Sequence, residues 1–147
     1  MSSESRRLIR KAASPDAAAL AVLSGELGYP TETPEMEQRL RRVMADPRNA
    51  VFVADEPSPV GWIQVSIVES LEGGGFAEIL GLVVASAHRK TGVGADLVRK
   101  AESWARENGC SRIRVRTNIV RSDAHAFYAR LGYGLKKRQE VFDKKLE

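Results

Sequence analysis

The chain has 147 residues, a length that fits one domain and can bury a core without staples. One cysteine (Cys110) and two well-separated histidines exclude an internal disulfide and give no metal-ligand cluster, so no metal is expected. The net charge of +4 is spread thinly, and four Phe, two Trp and three Tyr leave no aromatic-basic interleaving of the kind that binds nucleic acid.

Leu8 and Ile9, in a short run ending near Ala12, read as a first strand. Ser14-Pro15-Asp16 then reads as a helix start, with a capping serine, proline at the first helical position and an acid in the first turn. That helix carries Ala18, Val22 and Leu23 as far as Leu27, where Gly28-Tyr29-Pro30 breaks it. Thr33-Pro34-Glu35 repeats the start signal, and Met36, Leu40, Val43 and Met44 fall on one helical face before Asp46-Pro47. Ala50–Ala54 and Val60–Val68, joined by Glu56-Pro57-Ser58-Pro59, read as a hairpin. After Gly73-Gly74-Gly75, the run Phe76–Val84 is apolar except at Glu78 and Gly81, which predicts a central strand buried on both faces. A long amphipathic helix follows, with Val93, Leu97, Val98, Ala101, Trp104 and Ala105 on its apolar face and Gly109 at its end. Arg112–Thr117 is the expected fifth strand, and Ser122-Asp123 opens a last helix. Strands alternating with helices, without repeats or long linkers, predict one α/β (α+β) domain over residues 1–147.

The chemistry concentrates between the apolar strand and the long helix. The loop Arg89-Lys90-Thr91-Gly92-Val93-Gly94 supplies glycines for close backbone approach, basic side chains, and a helix start with unpaired N–H groups. This arrangement binds phosphate or pyrophosphate. A nucleotide P-loop requires Lys-Ser/Thr after its last glycine, and Gly94 is followed by Ala95-Asp96. A dinucleotide fingerprint requires a third glycine where Leu97 stands.

Arg89-Lys90-Thr91-Gly92-Val93-Gly94 resembles the Arg/Gln-x-x-Gly-x-Gly/Ala signature of the GNAT acetyltransferases. Ala126-Phe127-Tyr128-Ala129-Arg130-Leu131-Gly132-Tyr133 resembles that family's second motif, and the likeness extends over nearly the whole chain. Asn118, Arg121 and Ala124-His125-Ala126-Phe127-Tyr128 are similar to the run shared by small bacterial aminoglycoside 6'-N-acetyltransferase-like members.

The resemblance implies a GNAT fold, a mixed and mostly antiparallel sheet of six to seven strands flanked by about four helices. It implies acetyl-CoA as cosubstrate and transfer of its acetyl group to a primary amine of a small molecule, by direct attack in a ternary complex. Backbone N–H groups of Arg89, Lys90, Thr91, Gly92, Val93 and Gly94 would hold the CoA pyrophosphate, with Arg89 and Lys90 also suited to its 3'-phosphate. Leu82, Val83 and Val84 would pair with the pantetheine arm where the fourth and fifth strands splay, with a backbone N–H of Val83 or Val84 at the oxyanion. Asn118 and Arg121 would contact the cofactor arm; Arg121 stands seven residues before Tyr128, the commoner family spacing, and Asn118 ten. Tyr128 is the expected proton donor to the leaving thiolate. Glu78 is the expected base. A carboxylate in an apolar strand is costly unless it has a purpose or a partner, and Phe76-Ala77-Glu78-Ile79 resembles the strand carrying the glutamate of histone-acetylating GNATs. His88 reads as a loop histidine and His125 as solvated or substrate-binding.

Alternative readings are an acetyltransferase for a protein or peptide amine, and a non-catalytic CoA-binding regulatory module. Acidic residues at Glu26, Glu32, Glu69 and Glu72 would favour a cationic acceptor. A polar Met1–Ser5 and no apolar run of about 18 residues give no expectation of a signal peptide or membrane span, hence a cytoplasmic protein. By family analogy, residues 135–146 would form strands that join a homodimer.

Overall fold

A computed structural model describes residues 7–117 and 122–147. They fall into two compact units, Met1–Val115 and Arg116–Glu147.

In the first unit the elements run β1 (Leu8–Lys11), α1 (Ala17–Glu26), α2 (Thr33–Ala45), β2 (Asn49–Asp55), β3 (Pro59–Ser70), β4 (Gly74–Val84), α3 (Val93–Glu107) and β5 (Ile113–Val115). The strands form one sheet in the order β1-β2-β3-β4-β5. The first four are antiparallel neighbours, and β5 joins β4 in parallel after α3 crosses over. This is the expected mixed sheet, with five strands among the described residues in place of six or seven.

Neighbouring residues of a strand face opposite ways, so β3 divides the core in two. Gly61 looks at Val93 and Leu97 of α3. Trp62 packs instead on the cluster of Ala12, Ala17, Leu20, Leu40, Val51 and Val53 beneath α1 and α2. On the α3 side, the six residues read as its apolar face are all buried. Val93, Leu97 and Val98 each contribute on the order of 1.5–3 kcal/mol, and the alanines less.

Two local readings fail, at Ser14 and at Met44, and α1 offers none. Ser14–Asp16 is a 3-10 turn that precedes α1, and no side chain of Ser14 caps it. Asp16 ties the turn instead: it accepts from Ala13 N at 2.7 Å and from both Arg10 Nη atoms at 2.9 Å. The Arg10 guanidinium holds the Asp16 carboxyl below its usual range, and Arg10 Nε reaches Asp55 at 3.0 Å. In α1, Leu20 and Leu23 are buried while Val22 is exposed; a helix with apolar residues on every side gives no phase to read. In α2, Leu40 is buried and Met36 and Val43 pack beside it, but Met44 at the helix end is exposed.

The second unit contains α4 (Ser122–Arg130), where Ser122-Asp123 placed a helix start. Residues 134–147 form no helix or strand. A strand exists through its ladder, and no described neighbour supplies one here. Leu135, Val141, Phe142 and Leu146 are exposed.

Candidate active site

The loop before α3 has the backbone that its sequence demands. Gly92 lies at φ +92° and starts α3 with no side-chain cap, leaving the first-turn N–H groups open. Lys90 also adopts a left-handed conformation, at φ +63°. The Thr91 hydroxyl donates to His88 O, and Arg89 Nε donates to Val84 O at 3.4 Å. Val93 is buried in the core, so only its main chain can serve a ligand.

Three ties hold this loop from outside, and none was legible as a motif. Arg7 donates to Asp96 Oδ2 at 2.6 Å, to Thr91 O at 3.1 Å and to Glu56 Oε1 at 3.4 Å. Glu56 also lies 3.4 Å from His88 Nδ1. Glu26, at the end of α1, accepts from Ser86 N at 2.9 Å and Ser86 Oγ at 3.0 Å, which lowers its pKa. Glu26 thus braces the loop rather than standing free as an acceptor-attracting charge.

The neighbouring strand carries a bulge. Gln64 pairs with Gly81 and Val65 with Ile79, so Leu80 is an extra residue on β4. Two hydrogen bonds confirm the change of phase. Ala77 N donates to Arg112 O, toward β5, at 2.9 Å; Ala85 N donates to Val60 O, toward β3, at 2.8 Å. Residues an even number apart would point the same way in a regular strand. Beyond the bulge, Leu82 and Val84 therefore turn their backbone groups away from β3, while Val83 turns toward it. The β4–β5 ladder covers only Ala77–Ile79, so the outer edge of residues 80–84 has no strand partner among the described residues. The expectation of a strand buried throughout holds for Phe76–Ile79; Leu80 is exposed, and Gly81, Leu82 and Val84 are half-buried.

Glu78 sits at the buried end of this edge, opposite Ser66 on β3 and Arg114 on β5. Cross-strand partners share a face. Gln64, Ser66, Glu78 and Arg114 therefore form a polar row on the sheet face that carries Trp62, away from α3.

In the second unit, Tyr128 is 9% exposed, and burial pushes its pKa up to about 12. Its ring lies edge-on to Phe127 at 4.9 Å and to Tyr133 at 5.6 Å, and its carbonyl accepts from Leu131 N and Tyr133 N, both at 3.0 Å. His125 is exposed on α4. Asn118 and Arg121 lie outside the described residues. The first unit thus brings together the loop, the open β4 edge and Glu78, and Tyr128 belongs to the second.

This geometry fits a ligand with a phosphorylated end and an extended arm. Among the described residues a Cβ at Gly92 would meet only Arg7 Nη1, at 3.5 Å, so no backbone or apolar side chain crowds the loop in that direction. The free edge at Leu82 and Val84 offers an amide-bearing arm the pairing that a strand would otherwise make.

The chain is similar to several known proteins. The profile of the acetyltransferase (GNAT) family matches residues 17–133. An aminoglycoside N(6')-acetyltransferase type 1 of Serratia marcescens is 26% identical over 125 residues, covering 80% of this chain and 86% of that protein. A solved structure described as a transcriptional regulator from Bacillus halodurans C-125 superposes with a TM-score of 0.84 at 28% identity, covering 94% of this chain and 99% of that one. An aminoglycoside antibiotic 6'-N-acetyltransferase from Acinetobacter baumannii shares the fold, with a TM-score of 0.82 at 20% identity over 96% and 99% of the two chains.

Proposed function

The chain belongs to the acetyltransferase (GNAT) family, and on that premise we propose that it transfers the acetyl group of acetyl-CoA to a primary amine of a small molecule, by direct attack in a ternary complex. The observation that carries this reading is the bulge at Leu80, which ends the β4–β5 ladder beside the uncapped N-terminus of α3. The name of the Serratia relative, an aminoglycoside acetyltransferase, supports a small-molecule acceptor.

Each residue then has a stated task. The N–H groups at the start of α3 and of the 89–92 loop bind the diphosphate, with Arg89 and Lys90 adding charge. The outward main-chain groups of Leu82 and Val84 pair with the pantetheine arm and donate to the carbonyl oxygen as it gains charge. Asn118 and Arg121 keep their assignment to the cofactor arm. Glu78 takes the proton that the amine loses as its nitrogen bonds to the acyl carbon. Tyr128 is assigned as the donor to the sulfur that departs when the C–S bond breaks. Its raised pKa keeps it neutral and therefore a donor. A phenol near 12 sits about three and a half units above an ordinary thiol near 8.5, so complete proton loss to the sulfur is uphill by about 5 kcal/mol. Tyr128 therefore acts through a hydrogen bond that shares its proton with the developing thiolate, which the released proton finally neutralises.

The same reading treats residues 1–147 as one domain, since the family match runs through both units. It also takes the protein as a cytoplasmic homodimer, joined through the exposed apolar side chains of residues 135–146.

Calorimetric titration with acetyl-CoA, beside NAD and ATP, tests the cofactor. Selective micromolar binding of acetyl-CoA, followed by thiol release with a small amine, is expected. A folded sample that ignores acetyl-CoA would overturn the assignment.

A further inference from the structure

The polar row beside Glu78 continues into two cations with no carboxylate partner among the described residues. Arg112, just before β5, and Arg114, on it, place their guanidinium carbons 5.1 and 4.3 Å from the centre of the same Phe76 ring. Arg112 Nη2 also donates to Gly73 O at 3.2 Å, which fixes its head. Neither arginine forms an ion pair among the described residues. The nearby carboxylate of Glu69 does not serve them: Glu69 pairs with Gly75, one residue out of step with Phe76, and so lies on the other face. Two like charges gathered on one ring repel each other, and an anion between them would remove that repulsion. Arg114 is half-buried, where a charge-assisted contact is stronger than in open water.

Their place relative to Glu78 gives the cluster a meaning. Glu78 and Arg114 are direct partners across the β4–β5 ladder. Phe76 precedes Glu78 by two residues on the same face. The cations therefore stand one strand over and up to two residues back from the carboxylate, a span on the order of 5–8 Å. We infer that Arg112 and Arg114 bind an anionic group of the acceptor itself, and that the acceptor is a small zwitterion whose amine lies about three to four bonds from a phosphonate phosphorus or a carboxylate carbon. This rests on the acetyltransferase reading, with Glu78 marking where the amine enters. Two cations against one carboxylate also disfavour a polycationic acceptor on this face.

The test uses the full chain and a thiol-release assay with acetyl-CoA. The acceptors are 4-aminobutyrate, 2-aminoethylphosphonate, the uncharged butylamine and an aminoglycoside. One or both anionic amines should exceed butylamine by about tenfold or more in kcat/KM, and their ranking tells carboxylate from phosphonate. Arg114→Gln and Arg112→Gln should each raise KM for the anionic amines about tenfold. KM for acetyl-CoA and turnover of butylamine should not move, and Arg114→Lys should recover part of the loss. Preference for the aminoglycoside or for butylamine would overturn the inference, as would an equal loss toward all acceptors in Arg114→Gln. Calorimetry on the same sample separates the two levels. Normal acetyl-CoA binding without an anionic preference removes this inference alone, whereas no acetyl-CoA binding removes the reading beneath it.

Discussion

Arg7 Nη1 and Asp96 Oδ2 stand 2.6 Å apart, joining the residue just before the first strand to the first turn of α3 across 89 positions of sequence. The contact neutralises a carboxylate at the very helix end where an anion is to bind, and a second donor from Arg7 holds the Thr91 carbonyl away from that end. Arg7→Ala is expected to weaken acetyl-CoA binding about tenfold, the cost of exposing the bound anion to Asp96 and of losing charged hydrogen bonds worth about 1.5–3 kcal/mol. Arg7 is a positioning residue, so kcat at saturating donor should change little. An acetyl donor truncated before the diphosphate should not sense the mutation at all. Equal losses with both donors, measured in parallel, would make Arg7 merely a structural tie.

Gly92 and Lys90 both occupy left-handed backbone, at φ +92° and +63°. Gly92→Ala should cost about 1–2 kcal/mol of stability and weaken acetyl-CoA binding, because an L side chain resists that conformation at the helix start. Lys90→Gly should do the reverse to stability, raising it by up to about 1 kcal/mol as strain is relieved. Urea denaturation of the two variants checks the opposite signs.

Gly81 lies under the Trp62 ring. A Cβ there would sit 2.9 Å from Cη2 and 3.0 Å from Cζ3 of the indole. Trp62 packs on the α1–α2 core, so the ring cannot withdraw freely. Gly81→Ala should destabilise the fold by about 1–3 kcal/mol. Unchanged chemical denaturation would show that the indole has room to move.

Tyr128→Phe should lower kcat about a hundredfold while leaving acetyl-CoA affinity intact, since only the donor to the departing sulfur is removed. The raised pKa adds a second readout. The folded chain favours the neutral phenol, so this contribution is whole below the ordinary value near 10 and is lost as pH rises toward about 12. Unfolding free energy of the parent protein should therefore fall by about 2–3 kcal/mol more than that of Tyr128→Phe across this range. Parallel curves would mean that the hydroxyl is more solvated than its 9% exposure implies.

Elements with strong periodicity were legible from sequence. The six apolar residues of α3 and the β2–β3 hairpin needed only local spacing, and both stand as read. The helix-start loop was legible for the same reason: glycine and basic residues are adjacent in the chain. Arg7, Glu26 and Glu56, which brace that loop, were not, because each reaches its partner across long sequence separation with no pattern to mark it. The bulge at Leu80 was hidden too. A run of apolar residues conceals the phase change that turns a central strand into an open edge. Met44 was misread because helical spacing alone does not say where along its stripe a helix leaves the sheet.

β3 and β4 share ten paired positions, whereas β5 is held to β4 by three. Local opening free energy scales with such ladders, so the amide protons of Ile113–Val115 should exchange with solvent far sooner than those of β3. The slot at Leu82 and Val84 is thus bordered by a well-anchored meander on one side and by the least protected strand on the other. Thermal breathing would widen it from the β5 side, while the register that aims Leu82 and Val84 stays fixed.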